Sequence, residues 1–552
     1  MWTEICLALA MLRCTLLCSK AMYLFGRLGG LPFSVKAIGI RRALGVLAVT
    51  GVPLMLSGCI TEQFALDVGI PLRYLEAPKV ERSAPPPLDW WRGFRTKELI
   101  ELMEEAQTAN FDIAAAVDRI TQADAQAKIA SAPLFPTVTA GANATRTRTA
   151  GDGEHVSYTV APVNSATYQV DLWGRFRALS RAAQYNAIAV RFDRDVVNLT
   201  TLVNVATAYF LVATDQERLR VARENLAASQ RILDLIRQRF DAGTASALNV
   251  AQQESLVDMV RASIPPFDEA IRQNKATLAL LIGRAPALTT IRGTPLYSIG
   301  IPQVNAGLPS ELLRQRPDIR EAEELLAMAG ASVEAARAAF YPQIALTGQY
   351  GFTSAVLKNL FTPHQIFYQI AANLTQPLFD GFLLEGQLEN AKGRQNELLN
   401  DYRKAIVSGF TDVEHALVAV ADTTETERLQ RQVVASSQRA FDLSEAQLRE
   451  GTIDLVTLLQ TQQTLFTAQD LLVVDRLNRL DAILSLFQAL GGGWLPAPPH
   501  TRPVAAPDGR TLDEVLLVPA PKASYAAASD GRTLDEVLLA PPPDASHVAA
   551  AQ

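Results

Sequence analysis

Apolar positions along this chain follow two different periods, and each marks a different kind of element. Between Gly174 and Gly243 lie 68 residues with neither glycine nor proline, far beyond an average helix of about 11–12 residues. Within that run Leu219, Ala222, Leu226, Ser229, Leu233, Ile236 and Phe240 fall at alternating spacings of three and four, the seam of a coiled coil. At about 1.5 Å per residue the helix spans roughly 100 Å. No compact domain needs that length, which suits a structure that crosses a compartment. Asp241-Ala242-Gly243-Thr244 supplies the stop: Gly243 suits a left-handed C′ position, and Thr244 or Ser246 can cap the next helix. The pattern predicts a return helix to about 263, a break at Pro265-Pro266 and a resumption to Gly283, closing a long antiparallel hairpin.

The second period is two. Over 156–172, Val156, Tyr158, Val160, Tyr168, Val170 and Leu172 alternate with Ser157, Thr159, Ser165, Thr167, Gln169 and Asp171. Ile344, Leu346, Tyr350 and Phe352 alternate in the same way with Gln343, Thr347, Gln349 and Thr353. Strands are predicted at 134–148, 156–172, 341–353 and 364–379, preceded by helices over 96–132 and 312–339. Two structures fit such alternation: a half-buried soluble sheet, or an outer-membrane barrel with lipid outside and water inside.

The order of elements repeats. At an offset of 208, Ser229-Gln230-Arg231 matches Ser437-Gln438-Arg439, Gly243-Thr244 matches Gly451-Thr452, Gln252 matches Gln460 and Gly283 matches Gly491. Phe135-Pro136 matches Tyr341-Pro342 at an offset of 206. One offset holding ungapped over so long a stretch indicates duplication. The chain divides into a signal region (1–58), an N-terminal linker (59–95), a first repeat (96–309), a second repeat (310–494) and a tail rich in proline and alanine (495–552). Each repeat is a helix, two strands and a long helical hairpin.

The N-terminus sets the compartment. Lys36, Arg41 and Arg42 precede an apolar stretch over 43–56 that ends in Leu56-Ser57-Gly58-Cys59. That is the arrangement of a bacterial lipoprotein processing site, with Cys59 as the lipid-carrying first residue of the mature chain. Ile60 stands where an aspartate would favour retention at the inner membrane. Residues 1–35 read as upstream of the true start, with Met22 or Val35 as alternatives. A single lipid holds reversibly, so a second membrane interaction is expected.

Composition narrows the class further. The 552 residues are 49% hydrophobic with a net charge of −6, and beyond residue 58 there are 45 basic and 56 acidic side chains. This balance excludes disorder and argues against nucleic-acid binding. The four cysteines are Cys6, Cys14, Cys18 and Cys59, so the body has no disulfides or thiolate metal sites. No apolar run past residue 60 reads as long enough for a spanning helix, which argues against a helical membrane protein. Four strands cannot close a barrel, and open edges do not survive in lipid. Several chains must then share one; parity and a minimum of about eight strands permit two copies or three.

The most specific stretches are GLPSELLRQRPDIR (307–320), ARAAFYP (336–342) and ALGGGW (489–494). Through these residues the chain resembles the TolC-like outer-membrane efflux proteins, and among them the NodT-like lipoprotein branch of RND-type systems, over roughly 59–494. The resemblance implies a mainly α fold with a membrane β-barrel: a homotrimer whose 12-stranded barrel continues into a 12-helix periplasmic α-barrel. It implies a passive exit duct in the outer membrane of a Gram-negative bacterium, lipid-anchored and mostly periplasmic, loaded by a periplasmic adaptor (a membrane fusion protein) and an inner-membrane RND-type pump. Carried over by position, the adaptor-contacting hairpin tips are 239–250 and 448–459, with Gly243, Thr244, Gly451 and Thr452 holding the turns. The aspartate rings that close relatives' mouths correspond to Thr457 and Gln460, or to Ile453. Asp454, Glu450 and Asp241 are the nearby acids, and a ring of three Asp454 carboxylates is the expected constriction. Their alternative reading is as solvated charges on hairpin turns.

The remaining chemistry is sparse. His155, His364, His415, His500 and His547 are isolated, and no P-loop, GxSxG or HExxH is present, so neither an enzyme nor a cofactor other than the lipid on Cys59 is expected. After Cys59 only Met103, Met259 and Met328 could offer thioether ligands, which disfavours a soft-metal route. The tail carries DGRTLDEVLL twice, at 508–517 and 530–539, read either as a disordered extension or as paired partner-binding helices. The alternatives to an efflux duct are a duct for type I protein secretion and a lipid-anchored coiled-coil protein without a pore.

Overall fold

The computed structural model describes residues 69–75, 87–149, 153–304 and 306–493. The signal region, Cys59, the strand loop at 150–152 and the duplicated tail motif lie outside the described residues. The first repeat consists of α1 (Lys97–Ala109), α2 (Phe111–Ser131), β1 (Thr137–Thr149), β2 (Gly153–Val170), α3 (Arg175–Asp241), α4 (Ala247–Ala262) and α5 (Ile264–Leu281). The second consists of α6 (Pro309–Gln315), α7 (Pro317–Ala338), β3 (Gln343–Ser354), β4 (Ile366–Thr375), α8 (Leu383–Glu450) and α9 (Leu455–Ala489). Helices α3 and α8 have 67 and 68 residues, each about 100 Å long.

The single helix expected over 96–132 is two. Asn110 takes an extended backbone, its Oδ1 accepts from the N–H groups of Asp112 (2.8 Å) and Ile113 (3.0 Å), and its Nδ2 donates to the Leu281 carbonyl (2.7 Å). One side chain thus caps α2 and also receives the end of α5. Gly283 has φ 73°, and a Cβ there would lie 2.1 Å from the Ala109 oxygen, so only glycine fits this junction. The helix expected over 312–339 is likewise divided, between Arg316 and Pro317. Arg316 turns that break into a joint. It grips Asp318 through Nε (3.0 Å) and Nη2 (2.7 Å), and its Nη1 reaches Asp412 on α8 (2.9 Å) and the Ala489 carbonyl that ends α9 (3.2 Å).

The core sits where the helices meet the connector over 284–308. Residues 90–94, assigned to a linker on sequence grounds, form a short 3-10 turn in its centre: Trp90 is 1% and Phe94 0% exposed, and Trp90 stacks on Phe487 of α9 at 5.0 Å. Tyr209 and Phe210 of α3, Leu278 and Ile282 at the end of α5, and Leu296 and Ile299 of the connector pack around them. Each such side chain contributes roughly 1.5–3 kcal/mol on burial. This core also corrects the reading that no run beyond residue 60 could span a bilayer. Helix α3 does contain an 18-residue window apolar enough to do so. Its apolarity serves the core instead: Leu202, Val205, Ala206, Tyr209, Phe210 and Val212 are buried against other elements.

Beside this core lies the most deeply buried carboxylate among the described residues. Glu427 on α8 is 1% exposed and meets three guanidinium groups: Arg431 (2.5 Å), Arg479 (2.8 Å) and Arg476 (3.5 Å). Burial alone would raise its pKa; hydrogen bonds from Arg479 and Arg431, with the charge of Arg476, outweigh that and hold it below the usual carboxylate range. Arg476 also donates to the Ile299 carbonyl (2.7 Å), tying α9 to the connector.

The four strands form one antiparallel sheet in the order β1-β2-β3-β4. Between β3 and β4 the register is unbroken from Gln343↔Thr375 to Phe352↔Ile366. Ile366, Tyr368, Ile370 and Leu374 on β4 share a face with Leu346 and Tyr350 on β3, and all are at least 40% exposed. Polar pairs line the other face: Gln349 opposes Gln369, Thr347 opposes Thr167, and Gln169 donates to Gln343 at 2.8 Å. An apolar face turned outward on both strands is the reverse of a half-buried soluble sheet.

Candidate functional site at the hairpin tips

The far ends of the two hairpins carry the residues singled out in sequence, and the two turns are built alike. At the first, the Arg239 carbonyl accepts from Thr244 N (2.8 Å), Ala245 N (3.2 Å) and Thr244 Oγ1 (3.0 Å), while Gly243 N donates to Phe240 O (2.9 Å). At the second, the Gln447 carbonyl accepts from Thr452 N (2.9 Å) and Thr452 Oγ1 (3.1 Å), while Gly451 N donates to Leu448 O (3.0 Å). Gly243 and Gly451 have φ of 74° and 79° with open space around both, so glycine is needed for backbone conformation and not for room. In each turn threonine doubles the bond to a carbonyl that the helix end would leave unpaired.

The returning helices also start alike. Ser246 caps α4, accepting from Asn249 N at 3.2 Å. Asp454, its counterpart 208 residues on, caps α9: its Oδ1 accepts from Thr457 N (2.9 Å) and Thr457 Oγ1 (2.5 Å). Those bonds, side chain first, hold the exposed Asp454 carboxyl below the usual carboxylate range. Asp454 therefore has a structural duty within its own chain, whatever a ring of such carboxylates does. Thr457, one of the positions that the resemblance led us to match to relatives' aspartate rings, is its partner. Asp241 and Glu450 are the exposed last residues of α3 and α8.

The two turns are fastened side by side. Arg239 Nη2 donates to the Arg449 carbonyl at 2.8 Å, joining the end of α3 to the end of α8. Ile232, Ile236, Phe441, Leu448, Leu455 and Leu458 form the apolar layer behind them. Further up, Ser229 is fully buried: Gln253 of α4 donates to its carbonyl (3.0 Å) and Gln462 of α9 to its hydroxyl (3.1 Å). Three helices are pinned at one residue. A polar residue on the apolar seam is the trace of this node in the sequence, and its partners are Gln253 and Gln462. An open groove between α4 and α9, lined by Leu248, Ala251, Met259, Leu459 and Gln463, runs up from the tips. Leu248 and Met259 are largely exposed there.

Among the described residues, no group of histidine, cysteine and carboxylate side chains is placed to hold a metal ion. The tips present exposed turn residues with an open groove beside them.

The chain is similar to known proteins along most of its length. A family model described as outer membrane efflux protein matches residues 102–284 and 308–492. The pyoverdine export outer membrane protein OpmQ of Pseudomonas aeruginosa is 37% identical over 462 residues, covering 81% of this chain and 97% of its own. The toluene efflux pump outer membrane protein TtgC of Pseudomonas putida is 31% identical over 411 residues, covering 73% of this chain and 85% of its own. The solved open-state structure of the Neisseria gonorrhoeae MtrE outer membrane channel superposes with a TM-score of 0.68 and 28% identity, over 77% of this chain and 96% of that one.

Proposed function

This chain belongs to the outer membrane efflux protein family, and from that premise we propose that it is the outer-membrane exit duct of a tripartite efflux pump, conducting small toxic molecules out of the cell. The observation that carries this is the union, in one chain, of two helices about 100 Å long, each folded back as a hairpin, with a four-stranded sheet whose apolar face is exposed and whose two edges are open among the described residues. Neither part is stable alone in its setting. A sheet with open edges needs partners in lipid, and hairpins of this length have a purpose only across a gap.

In this reading three copies pool their strands into a 12-stranded barrel, and their hairpins continue it as an α-barrel through the periplasm. The lipid expected on Cys59 adds the second hold on the membrane. A periplasmic adaptor docks at the tips, on the surface formed by the Gly243-Thr244 and Gly451-Thr452 turns and the groove between α4 and α9. An inner-membrane RND-type pump supplies the driving force. Asp454, with Glu450 and Asp241, rims the mouth. The relatives named for pyoverdine export and for toluene efflux differ in cargo, so the duct follows its pump in what it carries.

The test is deletion followed by a susceptibility panel of dyes, detergents, solvents and antibiotics, with the intact gene returned in trans. Several-fold sensitisation to a subset of the panel, reversed by the intact gene, is expected. Unchanged tolerance throughout, with secretion of a protein lost instead, would overturn the efflux reading.

A further inference from the structure

One strand of the sheet is longer than its neighbours can match. Strand β2 has 18 residues, against 13, 12 and 10 in β1, β3 and β4. Between Ala161 and Ser165 it advances four residues while β1, on one side, advances two, from Gly141 to Thr139. Between Val160 and Ala166 it advances six while β3, on the other side, advances four, from Phe352 to Gly348. The same two residues are surplus to both neighbours: Pro162 and Asn164 have no rung in either ladder. Proline is admitted there because its missing N–H costs no ladder bond. The extra length has to leave the plane of the sheet.

Two glycines show which way it goes. A Cβ on Gly351 would lie 2.8 Å from both the Ala161 Cα and the Val160 carbonyl oxygen, so the β2 backbone itself rides over that position. A Cβ on Gly141 would lie 3.2 Å from Asn164 Cγ, so the Asn164 side chain covers the second glycine. Both glycines stand on the polar face. Gly351 lies between Tyr350 and Phe352 of the apolar face, and Gly141 precedes Ala142, which opposes Val160 on that face. The surplus therefore arches toward the polar side as a hump, and Pro162 and Asn164 are exposed on it. Across the next ladder Gly351 opposes Phe367, a half-buried aromatic side chain on the same polar face. Strand β4, the counterpart of β2 in the second repeat, pairs with β3 without a break and has no such hump.

In the barrel proposed above the polar face is the inner wall, and the inference rests on that reading. We propose that the β2 hump is a size-limiting constriction inside the barrel, where Pro162, Asn164 and Phe367 meet the passing cargo. A barrel of more than about eight strands is wider than its side chains can fill, and displaced backbone narrows it where side chains alone do not. The constriction is uncharged: among the paired residues of the four strands, His155 carries the only titratable side chain on the inner face. It sorts solutes by bulk and not by the sign of their charge. It is a control point separate from the hairpin tips, where Asp241, Glu450 and Asp454 offer charge.

The experiment adds maleimides of graded size to intact cells from outside and reads thiol labelling of the full chain, with the chain's native cysteines as background. Thr159 and Thr167 stand on the polar face of β2 on either side of the hump, Thr159 nearer the β1–β2 hairpin. A small maleimide is expected to label both Thr159→Cys and Thr167→Cys, and a bulky polymer-linked maleimide Thr159→Cys alone. Deleting Pro162 and Asn164 leaves Val160, Ala161, Val163 and Ser165 in regular alternation, and should let the bulky reagent reach Thr167→Cys. Asn164→Trp, which leaves the strand length unchanged, should slow labelling of Thr167→Cys by the small reagent severalfold without slowing Thr159→Cys. Equal labelling of both positions by the bulky reagent would overturn the constriction and leave the duct standing. A bulky reagent stopped already at Thr159→Cys would place the narrowing nearer the exit and overturn the hump's role. No labelling of either position by the small reagent, in chains that label once denatured, would overturn the water-filled barrel itself.

Discussion

The two hairpins share a length and a tip but differ in how the returning helix is secured. In the first, α4 ends at Ala262 and α5 begins at Ile264, with Pro265 and Pro266 in its first turn. In the second, the positions 208 residues on are Val473 and Val474, inside the unbroken α9, with Val473 buried in the core. The charges differ too. Glu427, under its three arginines, has Leu219 as its first-repeat counterpart, and Arg476 has Asp268. One backbone plan is thus satisfied in two ways: a break whose second half is held to α3 by contacts such as Arg218 over the Phe267 ring and Asn274 donating to Asp215 (2.7 Å), or a continuous helix locked by a buried ionic node. Proline is tolerated in the first because the opening turn of a helix has N–H groups without intrahelical partners.

Removing the node should cost most. Glu427→Ala leaves Arg476 buried without its counter-charge and is expected to destabilise by about 3–5 kcal/mol, read by thermal unfolding in detergent. Leu219→Ala, at the matched position, should cost about 2–5 kcal/mol by cavity formation alone. A neutral Glu427→Ala would show that the ionic node is dispensable and that the repeats are secured alike. Next, Val473→Pro should cost about 3 kcal/mol or more, since a proline there deletes an interior bond, whereas Pro266→Ala should leave the fold intact, both followed by far-UV circular dichroism. Equal effects would remove the distinction between broken and unbroken return helices.

The tips test likeness where the shafts test difference. Ser246→Ala should cost about 0.5–2 kcal/mol through the lost cap. At Asp454, charge and cap separate: Asp454→Asn keeps a capping side chain and should leave the melting temperature in place, while Asp454→Ala should lower it. Reduced cation preference in the conductance of Asp454→Asn is expected from a carboxylate ring, and unchanged selectivity would assign the residue to capping alone.

The smallest effect concerns pH. Burial, with the nearby charges of Asp193 and Asp318, pushes Glu321 on α7 up to about 7. Its folded-state pKa lies above the unfolded value, so its contribution is fully present below about pH 4.5 and is lost as pH rises through about 7. After allowance for solvent screening the loss should be about 1 kcal/mol between pH 5 and 8, and Glu321→Gln should flatten that slope. A slope identical in the variant would place the titration elsewhere.

How much was legible in sequence follows the range of the forces involved. The long helices, the glycine turns and the alternating strands are local patterns, and the structure has them at nearly the expected bounds. The breaks at Asn110 and Arg316 were not, because each depends on a distant partner: the Leu281 carbonyl for Asn110, and Asp412 with Ala489 for Arg316. Trp90 and Phe94 follow a proline run and look like linker until Phe487 is brought to them. At the tips the turn residues were readable from glycine and threonine alone. The Arg239 bond to the Arg449 carbonyl, 210 residues away, was not.

The central claim is that chains too poor in strands to close a barrel alone complete one together. The mass of the detergent-solubilised, folded particle tests it most directly. Three chains per particle is the predicted result; a stable, folded particle of one chain would contradict the account.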